Sequence, residues 1–180
     1  MEKHFLASRL NTSLEQMSNF VASTTKPGFH EVFIKDKWTI SQHIVHLIKS
    51  MEAVNKAFKF PGFVLSYKFG TCNRDERSFE ALKDKYESKL NALQVTAPSR
   101  YSSSSIPTES QSALMNELGR QTEIMQKHLK KRSDKALSKY ILPHPLLGML
   151  SLREMIGFSI IHMDHHRNVL SNYLENNTEA

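Results

Sequence analysis

The sequence predicts an all-α fold, a bundle of long helices joined by short turns and one long crossover. Three observations carry that expectation. Apolar residues recur at helical spacing over five long stretches of the chain. Pro-Gly pairs and two capping-box patterns mark where those stretches end and begin. No internal repeat is visible, and no segment shows the alternation expected of a strand.

The first helix is expected from about Glu2 to Ser23, with Phe5, Leu6, Leu10, Leu14, Met17 and Val21 on one face. Pro27-Gly28 ends it, and Phe29 to Lys37 reads as a connection. In Thr39-Ile40-Ser41-Gln42 the threonine hydroxyl can cap the first turn while Gln42 reaches back. The stripe Ile40, Ile44, Leu47, Met51, Val54 and Phe58 follows, and Pro61-Gly62 closes it. Phe63 to Arg74 lacks periodicity and reads as a loop. Asp75 to Leu93 is expected as an extra helix within the crossover, with Phe79, Leu82, Tyr86 and Leu90 on one side. Thr96 to Pro107, with Pro98, Pro107 and serines at 102 to 105, reads as a surface linker. A helix from about Thr108 to Arg132 follows, and then a turn shaped by Pro143, Pro145 and Gly148. Ser151-Leu152-Arg153-Glu154, a second capping box, opens the last helix, which is expected to reach about Leu174. At 180 residues the chain is expected to form one domain, residues 1–180.

Composition narrows the function classes. No apolar run approaches the ~20 residues that a membrane span requires. The first residues, Met1-Glu2-Lys3-His4-Phe5, lack the apolar centre of a signal peptide, and Cys72 is the sole cysteine, which agrees with a reducing cytoplasm. A cytoplasmic protein is the expectation. The net charge of +6 raises nucleic acid as a partner. The lysines are scattered, however, and Lys130-Lys131-Arg132 is the one tight cluster, so a solvated basic face is the preferred reading.

Histidines carry the chemical signal. At roughly 100° per residue, Met155, Ser159, His162, His166, Val169 and Tyr173 fall within a sector about 80° wide on the last helix. Arg153, Asp164 and Arg167 fall on the far side. Two inward imidazoles one turn apart need hydrogen-bond partners or a metal ion. On the second long helix His46 shares its sector with Thr39, Ser50, Ala53 and Ala57, small residues that suit either a cavity or close helix packing. His43, on the adjoining flank, is the rival ligand, and His165 points about 60° from the pair. Three imidazoles with a position left open are the donor set of a catalytic metal centre rather than of a closed structural one.

Three segments resemble the DinB-like (damage-inducible) superfamily, which includes the bacillithiol-dependent S-transferases. They are Trp38-Thr39-x-x-Gln42 with His46-Leu47, the His162-x-x-x-His166 pair, and His144-Pro145-x-x-Gly148-x-Leu150-Ser151, the last resembling one uncharacterised branch. The resemblance implies a four-helix bundle of up-down-down-up topology with an extra crossover helix. It implies a divalent metal, zinc or nickel, on His46, His162 and His166, and a homodimer. It also implies a low-molecular-weight thiol as cosubstrate. The chain departs from the family where an acidic residue follows the first histidine by five positions: Met51 stands there, and Glu52 comes one later.

The expected function is a metal-dependent enzyme that activates a small thiol, or water, for attack on an electrophilic small molecule. His165 or His144 would move protons in that chemistry. The competing expectation is a non-catalytic metal-binding dimer with a stress-response or sensor role. Cys72, with no histidine near it in sequence, reads as an incidental thiol, and Met163 is the one methionine placed to touch a ligand.

Overall fold

The computed structural model describes residues 1–93, 101 and 105–177. Four long helices form a bundle: α1 (Lys3–Ala22), α3 (Ile40–Phe58), α6 (Gln111–Lys131) and α8 (Leu152–Asn177). Shorter elements fill the connections: α2 (Lys26–His30), α4 (Gly62–Phe69), α5 (Phe79–Leu93), α7 (Asp134–Lys139), and the strands β1 (Ile141–His144) and β2 (Gly148–Ser151).

Contacts between helix ends fix the direction of each. Lys3 Nζ, at the start of α1, donates to the Arg132 carbonyl just beyond α6, while Gln111, at the start of α6, donates to the Val21 carbonyl near the end of α1. These two helices are antiparallel. Arg132 donates to the Phe58 carbonyl, so α3 and α6 finish at the same end of the bundle. Arg153, at the start of α8, donates to the Met1 carbonyl, and Arg9 pairs with Asp164 at 2.9 Å, so α1 and α8 run parallel. The topology is up-down-down-up. The parallel α3 and α6 cannot be joined by a short turn. The chain between them carries α4 and α5, and α5 packs on α8 as the extra crossover helix, burying Leu82 and Tyr86.

Both capping boxes form. Thr39 Oγ1 accepts from the Gln42 amide at 3.2 Å while Gln42 Oε1 accepts from the Thr39 amide at 2.9 Å. Ser151 Oγ accepts from the Glu154 amide at 3.1 Å while Glu154 Oε2 accepts from the Ser151 amide at 2.9 Å. The second box has a further role. The Glu154 carboxylate is fully buried and takes Arg74 at 2.7 Å and Arg77 at 3.2 Å, which ties the segment before α5 to the start of α8. Burial alone would raise the Glu154 pKa; the donors on it, Arg74 and the Arg77 and Ser151 amides, bring it below the usual carboxylate value.

The structure departs from the sequence expectations in four places. The segment read as a loop contains α4, which buries only Leu65, so its two turns show no periodic stripe. The five-residue α2, capped by the Thr25 hydroxyl on the Gly28 amide, is shorter than any amphipathic pattern. The proline-rich turn is a β-hairpin in which Ile141 faces Ser151 and His144 faces Gly148. Its strands have four residues each, two prolines interrupt the alternation, and Gly148 at φ 77° supplies the left-handed residue of the turn. Finally, Arg153, on the face of α8 opposite the histidines, is buried and pairs with Glu76 at 3.2 Å and Asp134 at 2.6 Å. Helices α1, α5 and α7 all pack on α8, so that helix has little solvent face along its first half. Of the expected linker, residues 96–100 and 102–104 lie outside the described residues.

Candidate metal centre

His46 stands in the first half of α3, and His162 and His166 stand one turn apart on α8. The two helices run antiparallel, so His46 meets His162 and His43 meets His166. The Nε2 atoms of His46 and His162 are 2.9 Å apart, and those of His162 and His166 are 3.0 Å apart. The three rings are buried, and their ligand atoms lie within 4.8 Å of one another.

The ring protons decide whether a divalent cation fits. His46 Nδ1 lies 3.0 Å from the Tyr101 carbonyl, which can only accept. That nitrogen therefore carries the hydrogen, and Nε2 bears a lone pair. Burial, with neighbouring imidazoles adding to it, holds His162 and His166 well below the ordinary imidazole value, and burial lowers His46 as well. The rings are neutral, with one N–H each. A single hydrogen on His162 Nε2 can serve one of its two close contacts, not both. One cation satisfies all three lone pairs at once. Tetrahedral nitrogens on zinc, at about 2.0–2.1 Å from the ion, stand about 3.3 Å apart, so the triad fits such an ion after a small adjustment of the rings.

His43 lies beside this triad rather than in it. Its Nδ1 is 2.7 Å from His166 Nδ1, and its Nε2 is buried without a hydrogen-bond partner among the described residues. Burial, with His46 and His165 adding to it, pushes the His43 pKa down to about 3. Glu52, the nearest acidic residue to the family position, pairs with Lys56 at 2.9 Å on the surface, and Met51 is buried beside Thr122. Met163 is fully buried in the core and does not line the cavity.

The triad opens into a cavity of about 960 Å³. Trp38, Tyr86, Phe158, Leu142 and Val169 are among its walls, and Ser50, Ala53 and Ala57 line it beside His46. The small residues on α3 therefore make room for a cavity, not for a close helix contact. Phe158 stacks on His162 with centroids 5.1 Å apart, and Trp38 tilts against His46 at 5.2 Å. His165 lines the same cavity, its ring 5.5 Å from that of Tyr86, and burial lowers its pKa. Burial raises the Tyr86 pKa, so the phenol keeps its hydrogen. His144 lines the wall on the hairpin side. Among the described residues, the lining otherwise carries two charged side chains, Asp36 and Lys37, both exposed. The Tyr101 carbonyl had no sequence signal, since backbone acceptors leave none.

The profile of the DinB superfamily matches residues 9–170. The chain belongs to the DinB superfamily. Among solved structures this DinB-superfamily chain is similar to YfiT from Bacillus subtilis, described as "a probable metal-dependent hydrolase with an unusual four-helix bundle topology". The identity is 19%, the match covers 97% of this chain and 87% of that one, and the TM-score is 0.57. At that identity the likeness is one of fold. No curated protein sequence matches this DinB-superfamily chain. Among the described residues no helix is long and apolar enough to cross a membrane.

Proposed function

We propose that this protein is a metal-dependent enzyme in which His46, His162 and His166 hold a zinc or nickel ion that activates a low-molecular-weight thiol for attack on a small, apolar electrophile. The observation that carries the reading is the meeting of three neutral, buried imidazole nitrogens at the wall of a 960 Å³ cavity. Imidazole donors suit both ions. A divalent ion on neutral ligands keeps its charge and lowers the pKa of a coordinated thiol or water.

The chain's own residues supply the rest. Trp38, Phe158 and Leu142 present apolar surface to the electrophile and keep water from the thiolate. In this reading the His165 ring, which lies beside His166 on the cavity lining, takes the thiol proton. A volume near the upper end of ligand pockets, roughly 300–1,000 Å³, leaves room for thiol and electrophile together. Water in place of the thiol makes the same centre hydrolytic, a second reading favoured by the similarity to YfiT, itself described as a probable metal-dependent hydrolase.

The test has two parts. Protein purified without a metal-affinity tag is expected to carry close to one divalent ion per chain, and His162→Ala, His166→Ala protein to carry none. With 1-chloro-2,4-dinitrobenzene and a small thiol, the sulfur–carbon bond forms as chloride leaves, and loaded wild-type protein is expected to outpace the double variant. Full metal occupancy with no turnover of thiol conjugates or esters would leave the site a non-catalytic one.

A further inference from the structure

His144 sits on the cavity wall across Phe158 from His162, with ring centroids 4.1 Å (His144 to Phe158) and 5.1 Å (Phe158 to His162) apart. The β1–β2 hairpin sets its ring. Nδ1 accepts from the Leu146 amide at 3.2 Å and from the Leu147 amide at 3.1 Å. Two N–H groups converge on that nitrogen, so it bears the lone pair and the ring hydrogen is on Nε2. Placing a proton on Nδ1 would set an N–H against two others. A ring that shuttles protons must be free to exchange its two nitrogens, and this one is not. Nε2, at the other edge of the ring, has no partner among the described residues.

We propose that His144 is the fixed hydrogen-bond donor of the cavity, and that the substrate is a largely apolar molecule whose carbonyl-type oxygen accepts from its Nε2–H. The proposal rests on reading the cavity as a substrate site, and it replaces proton transfer with substrate polarisation as the role of this ring. Three features favour a neutral oxygen acceptor. The nearby walls are apolar and aromatic. Burial lowers the His144 pKa to about 4, so near neutral pH the ring donates without adding a charge. Phe158 touches both His144 and His162 and lines the cavity, so a ligand reaching from one to the other runs along apolar aromatic surface. A donor aimed at a carbonyl oxygen draws electron density from the carbon under attack.

His144→Asn isolates the claim. The asparagine Oδ1 can still accept from the Leu146 and Leu147 amides and keep the turn, but no N–H reaches the place of Nε2. Trp38, the sole tryptophan, lines the cavity and reports binding through its fluorescence. The probes are benzamide, which carries the acceptor, and toluene, which lacks it. Wild-type protein is expected to favour benzamide, and His144→Asn to reduce that preference about fivefold to tenfold with toluene affinity unchanged. Equal preference in the two proteins overturns the proposal. The metal content of the same samples reports separately on the proposed centre: loss of metal with the preference intact removes that reading and leaves this one standing. Should His144→Asn not fold, long-range 1H–15N spectra of wild-type protein decide the matter. The Nε2–H tautomer is expected to persist from about pH 5.5 to 8, and a ring that protonates in that range overturns the assignment.

Discussion

His43 Nδ1 and His166 Nδ1 lie 2.7 Å apart in the interior, between α3 and α8. With His166 Nε2 committed to the triad, its hydrogen resides on Nδ1 and donates to His43. In the proposed centre His43 would orient a ligand without being one. Such outer partners typically change metal affinity by about 10–100-fold. His43→Ala is expected to weaken metal binding by about that factor while keeping the stoichiometry, read by competition against a chromophoric chelator. An unchanged affinity would mean that His166 needs no help from His43.

Removing the metal should lower thermal stability. An ion that binds only the folded chain, at about 100 times its Kd, adds about 2.7 kcal/mol. For a chain of this length that corresponds to a drop of roughly 5–10 °C in Tm after chelation, reversed by zinc or nickel. In His162→Ala protein the chelator should have no effect. A scan with and without chelator on both proteins checks this.

Glu154 gives the fold an acid limit. Its folded pKa lies below its unfolded value of about 4.3, so its contribution is present above that value and is lost as pH falls through the folded pKa. Glu154→Gln strands Arg74 and Arg77 and is expected to cost about 3 kcal/mol near neutral pH. The variant should also lose less stability than wild type between about pH 5 and pH 3, which urea titrations at several pH values would show.

Gly62 marks a close approach. A Cβ there would lie 2.2 Å from the nearest atom of the Tyr140 ring, so Gly62→Ala is expected to cost about 1–3 kcal/mol by overpacking. Adding Tyr140→Ala should recover part of that loss, and strict additivity in a double-mutant cycle would argue against the clash.

The four long helices were legible because each carries a stripe several turns long, and two of their starts because Thr39 and Ser151 have glutamine and glutamate three residues on. The histidine triad was legible because an i,i+4 pair on an inward face demands a partner, and the family resemblance pointed to His46. What stayed hidden was short or backbone-borne. α4 buries one residue, the hairpin strands have four residues each, and the Tyr101 carbonyl orients His46 without a side chain. The face of α8 that carries Arg153 and Asp164 looked like a solvent face because charge marks exposure, yet Glu76, Asp134 and Arg9 neutralise it from neighbouring elements.

His46 and His162 are separated by 116 residues along the chain, and the helix bearing the second comes last. During synthesis, the first of the three imidazoles emerges long before the other two, which follow together on α8. The three rings of the proposed centre are therefore in place for an ion only once α8 has been made and has packed against α3.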